Sequence, residues 1–252
     1  MSVTRQDITG MSFDRTIVSF NGTMIPNPNP KWQHTVNVSE PITNVNIQTD
    51  CLDVEVKRTD SNYVFVDVAS DERTKEFILE ILKQVTSGTV DLYLLQEGES
   101  QKNGKITIGT NYPLCNVTIQ TMSGSANARD CGPTQISTMS GSASLKNCEP
   151  ANVSTMSGSA FLYNCGRTIV KTMSGSAQVT NSVGRVDINT MSGSAHATNC
   201  NGPTHISTMS GSILLNDCGE PNYANSLSGY IHVEGGLRGG KATSRTGSVH
   251  VD

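Results

Sequence analysis

The chain has 252 residues and a formal net charge of −4, so it can bury a real core but carries no basic footprint for nucleic acid. Charged residues make up 16% and aromatics 5%, and the apolar residues are regularly placed, which excludes intrinsic disorder. No apolar run approaches the ~18 residues that span a bilayer, and Met1-Ser2-Val3-Thr4-Arg5-Gln6-Asp7 lacks the apolar core of a secretory signal, so a cytoplasmic location is expected.

Residues 1–50 read as an arm. Arg15–Ile25 has the alternation of a β-hairpin about Asn21-Gly22, a dipeptide suited to a tight primed turn. Pro26-Asn27-Pro28-Asn29-Pro30 is a stiff turn or linker. Residues 51–120 read as a cap with lead-in strands. Leu52–Val56 and Tyr63–Val68 form two strands about Asp60-Ser61-Asn62. Between 71 and 85, Phe77, Ile78, Ile81, Leu82 and Val85 share one helical face, with Ser70 as N-cap. Val90–Leu95 and Lys105–Ile108 are further strands.

Residues 121–252 are a repeat array. Thr-Met-Ser-Gly-Ser recurs at Thr121, Thr138, Thr155, Thr172, Thr190 and Thr208, at steps of 17, 17, 17, 18 and 18 residues. Degenerate copies follow at Ser226 and Ser244, for eight in all. An apolar residue precedes each motif (Ile136 and Val153, for example), and two spaced by one follow it (Ala143 and Leu145, Ala160 and Leu162). That is the signature of short strands. Charge falls from 25 charged residues in the first 120 to 15 in the remaining 132, which supports the boundary.

A repeat of 17–18 residues is too short for a helical repeat or a propeller blade. It predicts an all-β fold, a single-stranded parallel β-helix of about eight coils stacked ~4.8 Å apart, with an N-terminal α+β cap. Right-handed winding is the default, although a left-handed triangular helix has the same coil length. The cap would cover the unpaired edge of the first coil, with the 71–85 helix as its lid. No comparable lid is readable beyond the repeats, so that end is expected either to blunt itself or to meet another copy of the chain.

Three ladders follow from the register. The motif glycines, Gly124, Gly141, Gly158, Gly175, Gly193, Gly211, Gly229 and Gly247, are assigned to a corner needing positive φ. Cys131, Cys148, Cys165, Cys200 and Cys218 share one position, with Val183 in the missing place, and are expected to be stacked, reduced, buried thiols. Cys51 and Cys115 lie outside that ladder. Met122, Met139, Met156, Met173, Met191 and Met209 form the third. Strict alternation turns them outward as an interaction stripe, and a turn at the corner turns them inward. The inward placement is expected, because six exposed methionines would exceed the few hundred Å2 of apolar patch that soluble monomers carry.

No constellation points to catalysis, a cofactor or a metal. There is no Cys-x-x-Cys, and His34, His196, His232 and His250 show no paired spacing. Gly235–Lys241 resembles a phosphate loop but has Ala242 where Ser or Thr is required. Asp187 and His205 align one coil apart and read as surface polar residues. Regular Thr rows serve ice binding on some β-helices, but the glycine after Ser140 points to a corner instead.

The repeats, with an apolar strand, Thr/Ser-x-Ser-Gly and a second apolar strand, resemble the bacterial putative-adhesin family with parallel β-helix heads. The resemblance covers about residues 45–252, including a lead-in of a Val-Glu-Val strand, a hairpin and Lys105-Ile106-Thr107-Ile108. The turns Asn147-Cys148-Glu149, Asn164-Cys165-Gly166 and Asn199-Cys200-Asn201 are also similar to bacteriophage repeat proteins of unknown function. The resemblance implies the fold and carries no catalytic motif. The function expected is non-enzymatic, a scaffold binding another protein or its own copies. A carbohydrate-binding or carbohydrate-cleaving spike is the alternative, for which the repeats offer Phe161, Tyr163, Tyr223 and Tyr230, with the single Trp32 outside them. A phage-encoded intracellular inhibitor of a host factor is the third reading.

Overall fold

The computed structural model describes residues 12–13, 18–20, 23–25, 31–69, 85–86, 88–94, 104–235, 237 and 239–252. These residues are all-β, a parallel β-solenoid, and no helix among them is long and apolar enough to cross a membrane. The helix expected over 71–85 falls on residues 71–84, outside the described ones, and Val85 itself begins a strand, Val85–Thr86.

Each turn of the solenoid contributes one strand to each of two sheets. An 11-stranded sheet carries the strand before each motif and a 13-stranded sheet the strand after it. Alternation drives this pattern. In Thr134–Thr138, Thr134, Ile136 and Thr138 are buried while Gln135 is exposed, and in Ala143–Lys146, Ala143 and Leu145 are buried. Parallel pairing is in register throughout, so Ile136 lies beside Ile119 and Val153, and Leu145 beside Ala128 and Leu162. Side chains at equivalent positions therefore stack between coils and form one continuous core.

The solenoid begins before the recognised repeats. Strands Asn44–Thr49 and Asp53–Arg58 form a coil of their own, paired in parallel with Asn116–Thr121 and Ala126–Arg129. Asn-Val-Asn-Ile-Gln-Thr at 44–49 nearly repeats Asn-Val-Thr-Ile-Gln-Thr at 116–121. Leu52 stands where later coils have glycine, and its N–H bonds Thr49 Oγ1 as the motif requires. Thr89–Leu94 and Gly104–Thr110 stack on the far side of this coil.

The edge of that outermost coil is covered by antiparallel strands. Tyr63–Ala69 pairs with Gly104–Thr110, Lys31–Asn37 pairs with Tyr63–Ala69, and Val85–Thr86 covers Thr89–Leu94. The strands at Asp53–Arg58 and Tyr63–Ala69 are thus not a hairpin. Gly104–Thr110 lies between them, because it supplies a parallel partner for one and an antiparallel partner for the other. The hairpin of the arm is present, with Val18–Phe20 against Thr23–Ile25.

Candidate interaction surface

The motif makes one corner of the solenoid. Its threonine ends a strand with its side chain inward, and the hydroxyl is satisfied within the same turn. Thr172 Oγ1 donates to the Gly175 carbonyl at 2.6 Å, Thr190 does the same to Gly193, and the Gly211 N–H donates to Thr208 Oγ1 at 3.0 Å. A buried hydroxyl left without such a partner would cost about 1–3 kcal/mol.

The corner glycines serve close approach rather than positive φ. None of the eight has φ in the left-handed region. A Cβ on Gly141, Gly158 or Gly175 would lie 1.9 Å from the carbonyl oxygen of the glycine one coil earlier. The left-handed residues are at the other end of the second strand: Asp130, Asn147, Asn164, Asn181, Asn199 and Asp217, with φ between 47° and 57°. Asn and Asp tolerate this conformation because their short polar groups bond locally. Here they also bond along the stack, Asn147 Nδ2 to Asp130 Oδ1 and Asn164 Nδ2 to Asn147 Oδ1.

The next residue points inward and forms the cysteine ladder. Cys131, Cys148, Cys165 and Cys200 are buried, and Cys218 is half-buried. Each thiol meets the carbonyl two residues before it, as Cys148 does Lys146 O at 3.3 Å. The missing place is filled by Ser182, not Val183. Ser182 is fully buried and donates to Gly166 O at 2.8 Å, while Val183 is 60% exposed. Burial pushes the Cys115 thiol up to about 12 and Cys165 up to about 11. Cys131 is held well up by its hydrogen bond with Cys148 and by burial, and the same hydrogen bond draws Cys148 down against burial.

The methionines face outward, against the inward expectation. All six, Met122, Met139, Met156, Met173, Met191 and Met209, are 44–50% exposed. Alternation continues through the corner, with Thr138 buried and Met139 out. The interior there is filled by the threonine hydroxyl and the stacked glycine backbones, which leave no room for a thioether. Leu227, 42% exposed, extends the stripe by a seventh rung. At ~4.8 Å per coil the stripe runs about 29 Å. None of the six full motifs contains a charged residue, so the stripe is bordered by serines.

The outer face of the 13-stranded sheet carries a second feature, an open hollow of about 340 Å3. Phe161 and Tyr163 project into it beside Arg129, Lys146, Glu55 and Lys105, and the Lys146 ammonium lies 5.6 Å from the Tyr163 ring centroid. The Lys105 ammonium, hydrogen-bonded to Glu55, holds that carboxyl below the usual carboxylate range, against partial burial. Glu55 is the one carboxylate among the described lining residues, whereas glycoside hydrolysis wants a pair.

Asp187 and His205 are in register, but Arg185 binds the Asp187 carboxylate through Nε and Nη2 at 2.8–3.0 Å. His205 meets Tyr223 edge-on in a hollow of about 420 Å3. Within the phosphate-loop look-alike, Gly235 and Gly239 have positive φ, and Lys241 begins the strand Lys241–Ser244. His232, His250 and Asp252 do come together, although the sequence showed no paired spacing, because a step of 18 residues is one coil.

No curated protein matches the chain. Among solved structures, the crystal structure of a putative lipid binding protein from Parabacteroides distasonis ATCC 8503 is similar at 16% identity and a TM-score of 0.51, covering 90% of this chain and 98% of that one. That likeness concerns the fold. The model of the Toastrack DUF4097 family matches residues 42–252, which begins where the structure begins the solenoid and includes every coil, and the chain belongs to that family.

Proposed function

We propose that this Toastrack domain is a non-enzymatic scaffold that binds another protein along its methionine stripe. The observation that carries the reading is the stripe itself: seven apolar side chains in one line, each near half exposed, in motifs that contain no charged residue. Flexible, polarisable methionines suit a surface that accommodates an apolar partner. Its length of about 29 Å fits an extended apolar segment or ridge of the partner.

The test is a paired comparison. Met139→Lys/Met173→Lys adds two charges at exposed sites and should leave the fold intact. Proteins captured by the wild-type chain and lost with this variant, but kept with Phe161→Ala/Tyr163→Ala, would support the reading. Capture that the lysines leave unchanged would refute it, and wild-type self-association abolished by the lysines would make the second copy the partner.

A second reading rests on the hollow beside Phe161 and Tyr163. Exposed aromatics with Lys146, Arg129 and Asn127 suit a glycan or an anionic headgroup, and the fold neighbour is described as lipid binding. Glycan arrays and anionic liposomes with Phe161→Ala/Tyr163→Ala as control test it.

A further inference from the structure

One end of the solenoid brings three metal-ligating side chains onto one face. Strands Ile231–Glu234 and Val249–Val251 pair in parallel, with His232 opposite His250. The two imidazoles stack with centroids 5.3 Å apart and planes within 8°. Asp252 follows His250 by two residues, hence on the same face, and its N–H bonds Val233 O at 3.0 Å, which continues the ladder. Its carboxylate lies 2.7 Å from His250 Nε2 and 3.7 Å from His232 Nε2. One ligand atom from each of the three residues falls within 4.8 Å of the others.

The His232 Nδ1 is buried and has no hydrogen-bond partner. Tyr230 stacks on the same ring at 6.2 Å. His232 Nε2 is the nitrogen on the carboxylate side, 3.7 Å from Asp252 Oδ2. Glu234, beside the cluster on the same strand as His232, is engaged by Asn216 Nδ2 at 2.8 Å.

We propose that His232, His250 and Asp252 form a binding site for a late first-row divalent metal ion, zinc in particular, that clips two adjacent coils together. Two imidazole nitrogens and one carboxylate oxygen suit zinc, with water in the fourth position. They are a poor set for calcium or magnesium, which take oxygen ligands. The ligands come from two coils, so the ion binds only when the coils are docked and stabilises that state. The clipped strand has no buried side chain: all three residues of Val249–Val251 are exposed.

The experiment uses the untagged full chain, stripped with chelator and titrated with zinc chloride in a calorimeter. One zinc per chain is expected, weakened at least tenfold by His232→Ala, His250→Ala or Asp252→Asn and unchanged by His196→Ala. Hydrogen exchange over residues 241–252 should slow with zinc in the wild type and not in His250→Ala, whose fold is checked by circular dichroism. Absence of both binding and protection at zinc concentrations well above the protein would overturn the assignment. So would zinc binding that survives all three substitutions and is lost with Cys51→Ser or Cys218→Ser.

Discussion

Gly158→Ala is the smallest change that tests how the coils stack. The added Cβ would sit 1.9 Å from Gly141 O and 2.6 Å from the carbon that bears it. Ordinary contact begins near 3.4 Å, so the two coils must part by about 1.5 Å at this corner. Ser157 N–H to Met139 O at 2.8 Å and Met156 N–H to Thr138 O at 3.2 Å would then both open beyond hydrogen-bonding range. Two such bonds contribute about 1 kcal/mol each, and overpacking adds about 1–3 kcal/mol. Alanine restricts the unfolded chain, an opposing gain of about 0.4–1 kcal/mol that is too small to win. The net cost is about 2–5 kcal/mol. At about 2–4 °C per kcal/mol for a chain of this size, Tm should fall by roughly 10 °C. Differential scanning calorimetry of Gly158→Ala against Ser157→Ala, an exposed change on the same corner, measures it. A Gly158→Ala midpoint within 2 °C of wild type would refute the close-approach argument.

Four other outcomes are expected. Thr172→Val leaves the Gly175 carbonyl without its donor and should cost about 1–2 kcal/mol in urea denaturation, with Thr172→Ser recovering most of it. Asn164 has φ 52°, so Asn164→Ala should destabilise by about 1–2 kcal/mol and more than Asn164→Gly, measured the same way. Cys115 keeps its proton in the fold to about pH 12, whereas the unfolded thiol loses it near 9, so stability present below pH 9 is lost as pH rises toward 12. That loss is about 1.4 kcal/mol per pH unit from this thiol, and Cys115→Ala should flatten the alkaline decline by that amount. The Glu55–Lys105 pair is surface-exposed on the lysine side, so Lys105→Gln should change Tm by less than about 2 °C.

The solenoid was legible because a strand pair that repeats every 17–18 residues writes its own register into the sequence. Its first coils were less so. Asn44–Thr49 is a near copy of Asn116–Thr121, but an insertion of antiparallel cap strands and a returning coil separates them, and the motif between strands reads Thr-Asp-Cys-Leu-Asp. Counting motifs therefore missed a coil that pairing reveals. The corner glycines were found for the wrong reason. Sequence cannot distinguish a glycine needed for φ from one needed for space, and here the asparagines before the cysteine ladder take the positive φ. The same slip of one residue put Val183 where Ser182 belongs: alternation counts from Val179, and the buried place accepts a hydroxyl that can reach Gly166 O.

Methionine orientation turned on volume. Hydrophobicity argued for burial, yet the corner interior is already filled by threonine hydroxyls and glycine backbone, so the apolar residue is the one excluded. The histidine cluster escaped for a topological reason. Metal pairs are commonly sought three or four residues apart, the spacing of a helix. In a solenoid the neighbouring position is a whole coil away, and His232 and His250 are 18 residues apart.

The most direct test of the functional account is cross-linking with photo-methionine incorporated throughout the chain. Irradiation in the native host followed by mass spectrometry maps which methionines lie against a partner. The account predicts cross-links from Met139, Met156 and Met173 to one protein, at sites spaced along a single apolar segment. Cross-links confined to Met1, Met11 and Met24, or none above the level seen in denatured protein, would contradict it.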